Sequence, residues 1–252
     1  MNYFEKLPIK ILTNILGVFL IFLIWWAFSF GLNTTLLPSP YETIKTFFSL
    51  FKNLTVWEAI LGTISRLLIS FIICLLVALI MGLFAGLIKP LYRLLNPLII
   101  LLRTLPTAAV IYLLIVITKP INALYIISFL LIFPILYESV VVGIKNIDPN
   151  VMDSLRLESK KFSPYSIFKV IFPLSKPYIS LGIVQSLGLG MKVSIMSEVL
   201  CGDNKIKGLG RLIYFASLDS NAKQIIALSI FAVLFISLVD IILSLLKRNL
   251  KK

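Results

Sequence analysis

The chain has 252 residues, of which 59% are hydrophobic and 14% are charged, and its mean hydropathy is +1.02. Soluble domains carry roughly 45–50% apolar and about 25% charged residues, so this composition excludes an ordinary soluble protein and a disordered one. The sequence has no histidine and only two cysteines, which leaves no usual proton shuttle, disulfide framework or thiolate metal site. We therefore expect a helical integral membrane protein without a metal centre or enzymatic activity.

Six apolar segments are each long enough to cross about 30 Å of hydrocarbon, which takes roughly 20 helical residues. In chain order they cover about residues 11–32, 59–88, 96–118, 121–144, 177–200 and 223–246. They lie between a short N-terminal segment, 1–10, and a C-terminal tail, 249–252. The predicted fold class is therefore all-α, a polytopic membrane protein with six transmembrane helices.

The basic residues predict the orientation of these spans. Six spans place both termini on one side, and with the termini in the cytoplasm the inner segments hold roughly twice as many Lys and Arg as the outer ones, as the positive-inside rule requires. The net charge of +13 is then mainly a topology signal. Nucleic-acid binding would require a basic face with aromatic stacking residues, and we find none in this sequence. We expect a multi-pass membrane protein that contacts lipid and has both termini in the cytoplasm.

The connection Lys145–Lys176 is longer than the other connections and predicts two short helices. Asp148–Pro149 and Ser163–Pro164 each place an N-cap residue before a proline suited to a first helical turn, and apolar residues follow at helical spacing. Pro173 and Pro177 are expected to end the second helix before the fifth span. Two interpretations stay open at this point: an amphipathic hairpin lying on anionic lipid, or a docking element for a cytoplasmic partner.

The end of this connection, VIFPLSKP (170–177), resembles the signature loop of ABC importer permeases, which also precedes the penultimate span. That motif is Glu-Ala-Ala, three residues, Gly, nine residues, Ile, any residue, Leu, Pro. With its last position on Pro173, the Gly falls on Lys160 and the acidic start on Ser154, so only the C-terminal half fits. Asp153, one position earlier, offers an acid.

Four further segments are similar to the nitrate, sulfonate and taurine branch of these permeases. They are LLPSP (36–40), GTISRLLISFIICLLVALIMGLFAG (62–86), LLRTLPTAAVIY (101–112) and GLGMKVSIMSEVLCGDNKIKGLGRLI (188–213). In the last segment Lys192, Glu198 and Gly208–Gly210 occupy family positions. The resemblance covers about residues 10–248.

The resemblance implies a type I importer permease fold over residues 11–248, with cytoplasmic coupling helices in the 145–176 loop. It implies a homodimer that works with two copies of an ABC ATPase subunit and an extracytoplasmic substrate-binding protein. The chain has no G-x-x-x-x-G-K-[ST] loop, so we expect no cofactor here and ATP bound by the partner subunits. The implied ATPase contacts are Asp153, Ser154, Leu155, Arg156, Leu157, Lys160 and Pro173. The solute would be a small anion such as a sulfonate, taurine or nitrate, or a vitamin precursor.

Several residues inside the spans are candidates for the translocation pathway, because ionisable groups and helix-breaking prolines in a membrane face the bundle or a cavity. These candidates are Arg66, Pro106, Pro134, Lys192 and Glu198. Lys192 and Glu198 are too far apart along one helix to pair with each other, so partners on other helices are expected. For Arg66 and Lys192, structural pairing is the alternative to contact with an anionic solute. For Pro106 and Pro134, a structural kink is the alternative to lining the pathway. Gly82 and Gly86 share one helix face and allow close helix packing.

A secondary transporter driven by an ion gradient is the alternative class that the sequence allows. It would use intramembrane carboxylates such as Glu138 or Asp240. Both lie near the expected cytoplasmic ends of their spans, so an interfacial position is the alternative for them. Many such folds contain inverted repeats, and this sequence shows no convincing internal symmetry. An intramembrane enzyme is disfavoured because the chain has no histidine and no G-x-S-x-G motif.

Overall fold

The computed structural model describes residues 7–31, 37–158 and 163–249, and within these ranges the chain forms helices and no strand. The elements are α1 (Leu7–Gly31), α2 (Pro40–Phe51), α3 (Leu54–Leu87), α4 (Lys89–Thr104), α5 (Thr107–Ile117), α6 (Pro120–Lys145), α7 (Pro149–Glu158), α8 (Pro164–Ser166), a π-helical turn (Ile167–Ile171), α9 (Phe172–Cys201), α10 (Leu209–Leu218) and α11 (Ala222–Asn249).

Polar caps fix where several of these helices begin. Ser39 and Asn53 precede α2 and α3, and their side chains accept hydrogen bonds from the backbone N–H groups of Glu42 and Thr55. Such caps satisfy amides that have no partner inside the helix. The two predicted start signals of the long connection are confirmed, because α7 begins at Pro149 and α8 at Pro164.

All six predicted apolar segments are helical. The helix α3, the run from α8 to α9, the helix α6 and the helix α11 are each long and apolar enough to cross a membrane. The bent pair α4–α5 is apolar and long enough only when its two helices are taken as one span, which makes up to five crossings among the described residues. In α1 the segment Ile15–Gly31 is apolar but shorter. The second span is longer than a bilayer requires, because the 34 residues of α3 extend for about 51 Å.

The third span is broken, which the prediction of one helix over 96–118 missed. The axes of α4 and α5 differ in direction by 96°. Leu105 and Pro106 adopt extended conformations between the two helices. A proline disfavours the helical conformation of the residue before it and cannot donate a hydrogen bond to the preceding turn. The helix therefore ends at Thr104.

The expectation that Pro173 and Pro177 end a helix is wrong. Helical structure continues from Pro164 to Cys201, a run of 38 residues that includes both prolines. Pro173 lies in the first turn of α9, directly after the π-helical turn Ile167–Ile171. We attribute the continuity to this wider turn, which changes the hydrogen-bond register just before the missing proline N–H groups.

The core lies where α3, α6 and α9 pack against one another. Cys74 on α3 and Leu136 on α6 are fully buried there, and Met191 on α9 is 3% exposed. By contrast, the side chains described on α1 are largely exposed, as expected for a helix surrounded by lipid. The indole N–H of Trp25 on α1 donates to the carbonyl of Pro38 at 3.2 Å and ties this helix to the start of α2.

Candidate functional site

A buried ion pair joins α3 to the last turn of α9. The Arg66 guanidinium donates to a carboxylate oxygen of Glu198, and the two residues are only 8% and 2% exposed. A charge inside a membrane protein needs such a partner, because burying it alone costs several kcal/mol. Arg66 and Glu198, two of the five predicted pathway residues, are therefore paired with each other in this structure, across 132 positions of sequence.

Glu198 also holds the N-terminus of α10. Its second carboxylate oxygen accepts from the Thr63 hydroxyl at 2.9 Å and from the Gly210 N–H at 3.0 Å. The Leu209 N–H in turn donates to the Thr63 oxygen at 3.0 Å. A carboxylate at this position is favoured by the free amides and the dipole of the helix N-terminus. The network thus fixes α3, α9 and α10 to one another.

The network requires glycine at the start of α10. A Cβ on Gly208 would meet the Glu198 carboxylate, and its distance to the Arg66 Nη2 atom would be only 2.7 Å. A Cβ on Gly210 would overlap the carbonyl oxygen of Ile195 and approach the Glu198 Cβ to 2.6 Å. The Gly-Leu-Gly segment therefore gives the backbone the close approach that these hydrogen bonds need.

A second ion pair, Arg103–Glu138, lies in an open cleft between α4, α6 and α9. The side chains are 52% and 46% exposed. The cleft has a volume of about 380 Å³, and Ser139 and Gln185 add polar groups to its wall. Unlike the buried pair, this one faces open space.

Two lining residues of this cleft, Gln185 and Leu189, belong to an exposed face of α9. Gln185, Leu189, Lys192 and Met196 are exposed at helical spacing, while their neighbours Ser186, Gly190 and Ser197 are buried. The predicted pathway residue Lys192 therefore lies on this face, which we call the open face of α9. An exposed ammonium at this depth is unfavourable against lipid, so the face is suited to a water-filled cavity or a second protein surface.

The predicted contact helix α7 is attached to the bundle by one side only. Val151, Met152 and Leu155 are half-buried against the buried cluster that contains Ile144 and Ile171. The opposite side exposes Asp153, Ser154, Arg156 and Leu157, and Leu157 is 89% exposed. Lys160 lies outside the described residues.

The remaining predicted residues occupy different surroundings. Pro106 is exposed at the break between α4 and α5, Pro134 is buried inside α6, and Pro173 is exposed at the start of α9. Gly82 and Gly86 lie against α6, where an added Cβ would come within 2.8 Å of Val140 and of Ile144. Asp240 is on α11, and its side chain is outside the described part of the chain.

Two participants in these sites, Arg103 and Thr63, are not among the residues predicted from the sequence. Arg103 lies within the third predicted span, and that position was the available signal. Thr63 gave a weaker signal: it lies three residues before Arg66 and thus on the same helix face. Its importance depends on the α9–α10 connection, which sequence spacing does not place.

Comparisons with known proteins agree with this arrangement of helices. The family model described as "Binding-protein-dependent transport system inner membrane component" matches residues 75–252. The putative aliphatic sulfonates transport permease protein SsuC of Bacillus subtilis (strain 168) is 29% identical over 223 residues, which cover 87% of this chain and 79% of that protein.

Solved structures share the fold. Chains from two crystal forms of the MetNI methionine ABC transporter in inward-facing conformations superpose with TM-scores of 0.65 and 0.67 at 16% identity. Each comparison covers 77% of this chain and 95% of the other chain. The family model covers more than half of the sequence and describes a component of a binding-protein-dependent transport system. This match favours the permease interpretation over an ion-gradient transporter or an enzyme. The chain belongs to the inner membrane components of binding-protein-dependent transport systems and is a multi-pass ABC importer permease subunit of type I fold, not itself an enzyme.

Proposed function

We propose that this permease forms the translocation pathway for a small anionic solute, with the sulfonate class, including taurine, first. Nitrate and a vitamin precursor are the other candidates. The observation that carries the proposal is the open face of α9, on which the exposed Lys192 offers a positive charge within a membrane-crossing helix. The relative from Bacillus subtilis is named for aliphatic sulfonates, and a sulfonate needs such a cation.

The five pathway candidates divide by exposure. Lys192 and Pro106 are exposed and can contact a solute directly. Arg66, Glu198 and Pro134 are buried, so in this conformation they would support the wall of the pathway from behind. We expect substitution of the first group to change transport and substitution of the second group to change stability first.

We further propose that two copies of the chain face each other across the open face of α9. Lys192 and Gln185 are both exposed on α9, and a second copy would enclose them in a shared cavity away from lipid. The two copies would form a homodimer, which is the commonest symmetric assembly. An extracytoplasmic binding protein would deliver the solute to the outer opening of that cavity.

The helix α7 would dock into a separate ATPase subunit, one for each copy of the permease, and those subunits would bind ATP. Its exposed Leu157 supplies an apolar contact, and its exposed Asp153 and Arg156 supply polar ones. Lys145, Lys169 and Lys176 flank this region, so from the positive-inside rule we expect α7 and both termini in the cytoplasm. Lys160 and Pro173 complete the proposed contact segment.

The docking proposal is tested by co-purification with the ATPase subunit. We expect Leu157→Asp to abolish most of the association, because a charge would replace the exposed apolar side chain that we propose contacts the ATPase. Leu54→Asp is the matched control, since Leu54 is 71% exposed at the first residue of α3. Unchanged ATPase recovery with the Leu157 variant, at normal permease yield, would rule out α7 as the docking element.

The transport proposal is tested in proteoliposomes that hold the permease, its ATPase and its binding protein. ATP-dependent accumulation of radiolabelled alkanesulfonate is expected, with no accumulation when a non-hydrolysable ATP analogue replaces ATP. Uptake that follows an imposed proton or sodium gradient without ATP would contradict the proposal.

A further inference from the structure

The Arg103–Glu138 pair joins the last turn of α4 to the interior of the membrane-crossing helix α6. The other exposed pairs of the described chain, Lys207–Glu58, Lys223–Glu42 and Arg156–Asp153, have no partner so far from the end of a membrane-crossing helix. Glu138 lies seven residues before the end of α6, about 10 Å along the helix axis. A half-exposed pair at that depth needs water or a polar ligand in front of it.

The charges of the cleft cancel. Arg103 and Glu138 are its only charged lining residues in the part of the chain that the structure describes. A simple anion bound at Arg103 would therefore meet the Glu138 carboxylate at close range, and like charges at such distances repel. A molecule with one negative and one positive group avoids this conflict, because each end finds an opposite charge.

We propose that this cleft is a binding site for a small zwitterion, an aminoalkanesulfonate or an amino acid. The anionic group binds the Arg103 guanidinium and the ammonium group binds the Glu138 carboxylate. The inference rests on the proposed transport function and narrows its substrate class from anions in general to zwitterions. When the cleft is empty, the two side chains neutralise each other.

The geometry of the cleft suits such a ligand. Its volume of about 380 Å³ is within the roughly 300–1,000 Å³ of typical ligand sites. Leu181 and Leu189 provide apolar wall for a short carbon spacer, and Gln185 presents an amide for one further hydrogen bond. Exposed ion pairs contribute little to stability, so a ligand separates Arg103 from Glu138 at small cost.

Matched probes distinguish a zwitterion site from an anion site. Taurine and ethanesulfonate have the same carbon chain and the same sulfonate, and only taurine carries an ammonium group. Binding of each radiolabelled probe is measured by equilibrium dialysis on the permease–ATPase complex in nanodiscs, without the binding protein, so that selection by that protein plays no part. We expect the complex to bind taurine at least about tenfold more tightly than ethanesulfonate.

Variants assign the preference to the pair. Glu138→Gln should lower taurine affinity about tenfold and leave ethanesulfonate binding unchanged or stronger, because the repelling carboxylate is gone. Glu58→Gln removes the acid of an external exposed pair and should change neither affinity. The double variant Arg103→Glu/Glu138→Arg keeps an opposite-charge pair, so it should assemble with the ATPase and still prefer taurine.

The outcomes separate this inference from the transport proposal. Equal affinity of the unmodified complex for the two probes, or no binding of either, overturns the zwitterion site. Loss of both affinities in parallel in Glu138→Gln, with normal assembly, overturns the assigned role of Glu138. The transport proposal fails only if ATP-dependent uptake is absent in the complete system, and that assay does not depend on the cleft variants.

Discussion

Replacing Glu198 with glutamine is expected to destabilise the protein strongly. Glutamine keeps the shape of the side chain and an oxygen that can accept from Thr63 and Gly210, but it removes the charge that neutralises Arg66. Arg66 is 8% exposed and Glu198 is 2% exposed, so the guanidinium would stay buried without a counter-ion. Removing one partner of a buried pair costs about 3–5 kcal/mol.

This loss is large enough to measure as a melting temperature. For a domain of 150–250 residues, 1 kcal/mol corresponds to roughly 2–4 °C in Tm, so Glu198→Gln should lower Tm by about 6–20 °C. The measurement is thermal unfolding of the purified permease in detergent, followed by intrinsic tryptophan fluorescence. The control is Glu58→Gln, because the Lys207–Glu58 pair at 2.9 Å also ties the α9–α10 connection to α3 but is largely exposed. Its removal should cost at most about 1 kcal/mol.

A double variant tests the physical reason for the loss. Arg66→Gln/Glu198→Gln leaves no unpaired charge, so its Tm should lie above that of Glu198→Gln alone. The reasoning is refuted if Glu198→Gln lowers Tm no more than Glu58→Gln does. It is also refuted if the fall in Tm of the double variant equals or exceeds the sum of the falls in Arg66→Gln and Glu198→Gln.

Two further substitutions test packing and transport. Gly82→Ala should lower the free energy of unfolding by about 1–3 kcal/mol, because the new Cβ would lie 2.8 Å from the Val140 Cβ; Gly17→Ala, at a position with no atom within 4 Å, is the control, and equal Tm values for the two variants would contradict the packing role. Lys192→Gln should lower ATP-dependent sulfonate uptake about tenfold without changing Tm, since Lys192 is exposed; Met196→Gln, on the same face, should leave uptake near normal, and an equal loss in both variants would show that the charge is not the cause.

Local signals predicted the helices because the physical causes of helix formation are local. Apolar runs of about 20 residues identified the spans, since hydrocarbon leaves the backbone few other ways to satisfy its hydrogen bonds. Asp148–Pro149 and Ser163–Pro164 marked the beginnings of α7 and α8 because a cap and a first-turn proline act within a few residues. Neither inference needed to know where any other helix lies.

Proline was the signal with the least predictable effect. At Pro106 the chain turns by 96°, whereas at Pro173 and Pro177 the helix continues. In each case the residue removes one donor, but the outcome depends on the backbone around it: an extended Leu105 in one case and a preceding π-helical turn in the other. Sequence spacing alone does not distinguish these two settings.

The sequence was enough to predict that the buried charges need partners, but it was not enough to predict which residues pair. The cost of an ionisable group in a membrane required partners for Arg66 and Glu198 on other helices, and the pair that forms meets this requirement. Only the fold shows that they pair with each other, and that Arg103 pairs with Glu138. It also shows the difference in exposure, on which two expectations depend: a loss of stability when the buried pair is broken, and ligand binding at the open pair.

The continuous helix from Pro164 to Cys201 connects these sites mechanically. Its N-terminal end follows α7, its middle carries Gln185 and Lys192 on the open face of α9, and its C-terminal end is held through Glu198. At 1.5 Å per residue its 38 residues extend for about 57 Å, longer than the membrane is thick. Under the proposed coupling, a displacement of α7 by the ATPase would therefore reach the cleft and Lys192 as a tilt of one element about its fixed C-terminal end. A break at Pro173 or Pro177 would have separated the ATPase contact from the pathway, so the unexpected continuity of α9 is the feature on which such coupling depends.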